Sequence, residues 1–138
     1  MTGSSELRLH CLARPAAAKS LRHALASFLA VIDIDPGLTE DVLTAVGEAL
    51  LNVVEHAYGS EGPGELELFA RIEDDNVLSV DVYDLGTFVQ RDGRRPGRGF
   101  GLNIIRAIAR AVSLDTEGGT HVHMLFDAAR PDKNSAAS

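Results

Sequence analysis

Residues 6–13, ELRLHCLA, alternate polar and apolar as a strand with one buried face does. Pro15 then opens a helical stretch, AAAKSLRHALASFLAVI, with Leu21, Leu25, Phe28, Leu29 and Ile32 along one side. DIDPGL breaks it. Thr39, followed by Glu40 and Asp41, predicts the N-cap of a second helix that ends at Tyr58-Gly59. A glycine-rich turn, GSEGPG, precedes two strands, Leu66–Ile72 and Val77–Tyr83, joined by EDDN as a hairpin. After a loop rich in Gly, Arg and Pro, the spacing of Leu102, Ile104, Ile105, Ile108 and Val112 predicts a helix over 101–112. Strands over 113–116 and 120–126 close the chain around Gly118-Gly119. The order β-α-α-β-β-α-β-β predicts an α+β fold. It reads as a two-layer α/β sandwich, one mixed, mostly antiparallel sheet with helices on one face.

The second helix is apolar nearly all round, and such helices are normally buried. It nevertheless carries a polar stripe. With Glu48 at zero, Asn52 falls at roughly 40°, His56 at roughly 80° and Glu55 at roughly −20° around the axis, and Asp41 and Thr44 lie in the same sector. Polar groups in such a place need partners, because burying them unpaired is costly. Neighbouring structure or a ligand would serve.

Composition narrows the function classes. The 138 residues, 45% hydrophobic and 24% charged, suit one soluble domain, expected over residues 6–128 with frayed tails at 1–5 and 129–138. No apolar run reaches the length of a membrane span, and MTGSSELRLH lacks the order of a signal peptide, so a cytoplasmic protein is expected. A net charge of −7 argues against direct nucleic-acid or anionic-membrane binding. RDGRRPGR, residues 91–98, is a local basic island that reads as a solvated loop on charge alone. The single Cys11 excludes an internal disulfide and reads as a packed strand thiol. His121 and His123 share one face of a strand, but no third ligand is evident, so a metal site there is not expected.

Three further segments carry candidate chemistry. DLGTF, residues 84–88, ends a strand with an aspartate before a glycine, a pattern that turn chemistry alone explains. GRGFGLNIIR, residues 97–106, sets three glycines at alternate positions directly before a helix, where unpaired N–H groups favour phosphate. GGTHVHM, residues 118–124, delivers Thr120 to the start of the last strand.

Together, EALLNVVEHAY, DLG, GRGFGL and GGT resemble, in this order and spacing, the boxes of the Bergerat-fold (GHKL) ATPases. The helix segment resembles that of the anti-sigma factor serine/threonine-protein kinases within that superfamily. The resemblance implies an ATP·Mg²⁺ site facing the polar stripe. In it Asn52 is the Mg²⁺ ligand and Glu48 the catalytic base or the group that orients the attacking hydroxyl. Asp84 is implied to accept from the adenine amino group, Gly86 to admit the base to the backbone, and Thr120 to support the adenine end. Gly97, Gly99 and Gly101, with Phe100 and Leu102, are implied to form the lid and helix start around the phosphates. Arg94, Arg95 and Arg98 are implied to offset triphosphate charge. His56 reads equally as a structural histidine or a nucleotide contact, and Glu55 as solvated or paired with an arginine.

The function implied is a kinase that binds a sigma factor and phosphorylates a STAS-domain anti-sigma factor antagonist, working as a homodimer. The competing reading is a nucleotide-dependent anti-sigma module with little kinase activity. Retention of Glu48 favours the kinase. A stand-alone histidine kinase domain is disfavoured, because no acceptor-bearing dimerisation helix is present in this sequence.

Overall fold

The computed structural model describes residues 5–59, 62–73, 75–84, 102–115 and 119–128. The elements run β1 (Ser5–Leu12), α1 (Pro15–Val31), α2 (Pro36–Ala57), β2 (Tyr58–Gly59), β3 (Gly62–Pro63), β4 (Glu65–Ile72), β5 (Val77–Asp84), α3 (Leu102–Ile108), β6 (Ala111–Asp115) and β7 (His121–Asp127). Five strands form one sheet in the order β1-β4-β5-β7-β6. Every pairing among them is antiparallel, so the described sheet contains no parallel pair.

Period-2 alternation divides the sheet into two unlike faces. Leu66, Leu68 and Ala70 of β4, Leu78, Val80 and Val82 of β5, and Val122, Met124 and Phe126 of β7 point inward and are buried. Leu21, Leu25 and Leu29 of α1 and Val42, Val46, Ala49, Leu50 and Val53 of α2 pack into the same core. Ile105 anchors α3 there. The α+β sandwich expected from the element order is the fold observed.

Three local readings are corrected. The second helix starts earlier than Thr39: Asp35 Oδ2 accepts from the N–H groups of Gly37 and Leu38, at 3.0 and 3.2 Å, with Pro36 as the first helical residue. A carboxylate before proline satisfies the orphan amides better placed than Thr39, whose own N–H already bonds Asp35 O at 2.8 Å. The helix also gives way after Ala57, because Tyr58–Gly59 pairs antiparallel with Gly62–Pro63. The third helix stops at Ile108, and Ala111 and Val112 belong to β6, paired with Leu125 and Met124. Val112 sits four residues after Ile108 and two before Leu114, so it fits either period; the free ladder of β7 decides for the strand.

Chain direction sets which ends meet. β1 ends beside the start of β4 (Leu12 opposite Glu65), and β4 starts beside the end of β5 (Leu66 opposite Asp84). α1 therefore leaves this end of the sheet and α2 returns to it. β5 ends beside the start of β7, and β7 starts beside the end of β6. Consequently α3, which precedes β6, begins at the same end.

Candidate functional site

The C-terminal half of α2, the end of β5, the start of β7 and the start of α3 converge at that end. Their inward side chains break an otherwise hydrocarbon lining: Asn52 is 5% exposed, Asp84 8% and Thr120 3%. Among the described residues, these and Asp81 are the buried polar or charged side chains.

Asn52 and Glu48 stand one turn apart on α2. Asn52 Nδ2 donates to the backbone carbonyl of Glu48 at 2.7 Å. Only the amide nitrogen can donate to a carbonyl, so this bond fixes the amide's orientation and leaves Oδ1 as the atom that could ligate a cation. Glu48 is half-buried, whereas Asp41, Thr44 and Glu55 of the same stripe are exposed. Among the described side chains of the stripe, Glu48 and Asn52 are the ones that sink into the fold. Thr44 spends its hydroxyl on Glu40 O at 3.0 Å.

Asp84 and Thr120 are joined through the backbone, the Asp84 N–H donating to Thr120 O at 2.7 Å. Gly119 makes that approach possible. Its φ is +132°, and a Cβ there would lie 2.8 Å from Asp84 O, so a side chain would be both strained and obstructed. In the sequence GGT reads as a turn that delivers Thr120 and, by resemblance, as the closing box of the site. The contact with Asp84 could not be read locally, because it depends on the register of β5 against β7.

Leu102 opens α3 and is half-buried. His56 lies in the last turn of α2, and its side chain is not among those described. Gly86, Phe88, Arg94, Arg95, Gly97, Arg98, Gly99, Phe100 and Gly101 fall outside the described residues. A carbonyl oxygen on Asn52, a half-buried carboxylate one turn before it and a buried carboxylate at a strand end form a donor set that suits a magnesium-bound nucleotide.

A model of the histidine kinase-like ATPase domain matches residues 11–126. The chain belongs to the histidine kinase-like ATPase domain family. The family makes adenine nucleotide the ligand class of this fold. Anti-sigma F factor of Clostridium beijerinckii is 29% identical over 111 residues, covering 71% of this chain and 76% of that protein. Among solved structures, the RsbU and RsbW domains of a Mycobacterium tuberculosis protein superpose with a TM-score of 0.74 at 24% identity, over 92% of this chain. This chain spans 33% of the length of that one. The SiaB–SiaC complex of Pseudomonas aeruginosa matches with a TM-score of 0.61 at 19% identity, covering 87% of this chain and 88% of the matched one. At these identities both structures speak to fold alone. The likeness to anti-sigma kinases read from EALLNVVEHAY agrees with the first of these relatives.

The other face of this ATPase domain holds a second group. His121 Nε2 and His123 Nδ1 lie 2.7 and 2.6 Å from the same Oδ1 of Asp81. The reading that the two histidines lack a third partner is therefore corrected: β5 supplies it, with Asp81 directly opposite His123 in the ladder. Alternation in VLSVDVYD already puts Asp81 on the outer face, but the pairing spans 40 residues of sequence and has no local signal. Tyr83 stacks on His121 at 4.2 Å between ring centroids and 19° between planes. Burial raises the Tyr83 phenol above its ordinary value, the charges of Asp81 and Glu67 add to this, and Arg8 opposes it. Cys11 is a half-buried free thiol on β1, pushed up by burial, as a packed strand thiol should be. No described helix is long and apolar enough to cross a membrane.

Proposed function

We propose that this domain is an ATP-dependent protein serine/threonine kinase that acts as an anti-sigma factor, holding a sigma factor and phosphorylating a STAS-domain antagonist. The observation that carries the proposal is the buried polar set, Asn52, Asp84 and Thr120, gathered at one end of an otherwise apolar layer and flanked by Glu48. Such groups are retained against their burial cost when a ligand uses them. The 29% identical Anti-sigma F factor supports the partner class.

When bound, ATP supplies the phosphoryl group and Mg²⁺ offsets its charge. Asn52 Oδ1 would hold the metal, and Asp84 would accept from the adenine amino group, with Gly86 and Thr120 supporting the base. Glu48 orients the acceptor hydroxyl and takes its proton. Arg98, Gly99, Phe100, Gly101 and Leu102 would enclose the phosphates, as the resemblance implies. Phosphoryl transfer asks the protein mainly for positioning and charge stabilisation, which this set provides. A homodimer is the assembly proposed.

The test is Glu48→Gln, which keeps shape while removing the base. ATP binding should persist, sigma capture should persist, and radiolabel transfer to the STAS antagonist should fall by about 10²–10⁴-fold. A variant that labels the antagonist at the wild-type rate refutes the role of Glu48. Wild-type protein that binds ATP and sigma yet never labels the antagonist identifies a nucleotide-dependent binder instead.

A further inference from the structure

We propose that Asp81, His121 and His123 form a binding site for a late first-row divalent metal ion, zinc(II) in class, on the sheet face opposite the nucleotide. Three observations lead there. First, the donor types are right: two imidazoles and one carboxylate are a set used for zinc and other late first-row divalent ions, whereas Mg²⁺ and Ca²⁺ prefer all-oxygen shells. Second, the donors converge, with one ligand atom from each residue lying within 4.8 Å of the others. Third, the site is built into rigid structure. Both histidines project from β7 two residues apart, Asp81 projects from the neighbouring β5, and the two strands lie inside the sheet rather than at its edge.

Burial separates this group from an ordinary surface ion pair. Asp81 is 7% exposed although it sits on the outer face, so its charge demands compensation. His121 and His123 keep 35% and 36% of their side chains open, which leaves an entry path and room for water to complete the coordination. Tyr83, flat against His121, holds that ring's plane, as groups behind metal ligands do. In the metal-bound form the two N–H donations to Oδ1 give way to two nitrogen–metal bonds and one oxygen–metal bond. Each ligating nitrogen gives up its proton, a neutral ring by shifting it to the other ring nitrogen and an imidazolium by releasing one proton to solvent, so both rings bind neutral.

Two metals then occupy opposite sides of one sheet without competing. Asp84 and Thr120 face inward, while Asp81 and His121, three residues earlier and one later, face outward. The outer ion would clamp β5 to β7.

The experiment uses the full chain without an affinity tag, stripped with chelator and kept free of nucleotide in millimolar MgCl₂. Zinc(II) is titrated by calorimetry and against a chromophoric chelator. One equivalent should bind per chain. His121→Gln/His123→Gln and Asp81→Asn should each weaken binding by at least about 100-fold, beyond what loss of a supporting group costs. His10→Gln, which alters an exposed histidine paired with Glu65, should leave affinity unchanged. A readout on wild-type protein removes dependence on how the variants fold: zinc(II) should protect His121 and His123, but not His10, from diethylpyrocarbonate, with the sites read by mass spectrometry. Failure of wild-type protein to bind zinc(II), equal binding by the ligand variants, or modification of His121 and His123 undiminished by zinc(II) overturns the proposal. The nucleotide reading stands or falls separately, on ATP binding.

Discussion

The two faces of one sheet handle polar groups in opposite ways. On the inner face Asn52, Asp84 and Thr120 are surrounded by leucine, valine and isoleucine, so each polar atom needs a specific partner. On the outer face Arg8 bonds Glu67 at 3.2 Å, lies 4.0 Å over the Phe69 ring, and is open to water. Asp81 with its two histidines is the exception there, a buried charge on the wet side. Polar residues in the dry layer are therefore informative about function by being there at all. On the wet face only an unusually buried one is.

Neighbouring residues of β4 give the bluntest test of this contrast. Leu68→Ala, on the inner face, should cost about 2–5 kcal/mol in urea unfolding. Phe69→Ala, one residue on and half-buried on the outer face, should cost less than half of that, the contact with Arg8 contributing about 0.5–1 kcal/mol. Equal losses would erase the distinction between the faces. Next in size is Gly119→Ala, expected to cost about 1–3 kcal/mol through its positive φ, with more from the contact with Asp84 O. It should also disturb nucleotide affinity, since Asp84 must shift.

Asn52→Leu sharpens the comparison in a different direction. Thermal stability should change by no more than about 1 kcal/mol, because an apolar side chain replaces a buried amide of similar size. Magnesium-dependent ATP binding should nevertheless be lost in calorimetry. A large loss of stability with nucleotide binding intact would make Asn52 a structural residue. The smallest effect concerns Tyr83. Its phenol is held above the ordinary value of 10.0 in the folded state, chiefly by burial. The neutral form is thus favoured by folding, and this contribution is complete below the unfolded value and lost as pH rises through the folded one. Alkaline melts should show destabilisation setting in above pH 10, and Tyr83→Phe should reduce it.

Much of this was legible in the chain. Alternation over 66–72 and 77–83 and the 3.6 period over α1 and α2 identify their elements, because a side chain's burial on a regular element follows from its spacing alone. The stripe of Glu48 and Asn52 on a greasy helix, with DLG, GRGFGL and GGT behind it, was enough for the family. Short-range competition was harder. Whether Asp35 or Thr39 caps α2, and whether Val112 ends a helix or starts a strand, turns on energies of about 1 kcal/mol that neighbouring structure outweighs. Register was beyond reach. The ladder that sets Asp81 against His123, and the backbone bond that ties Asp84 to Thr120 and reserves position 119 for glycine, join segments some 40 residues apart. Those pairings are fixed by the summed packing of the strands on one another and against the helices, which no single stretch of sequence contains.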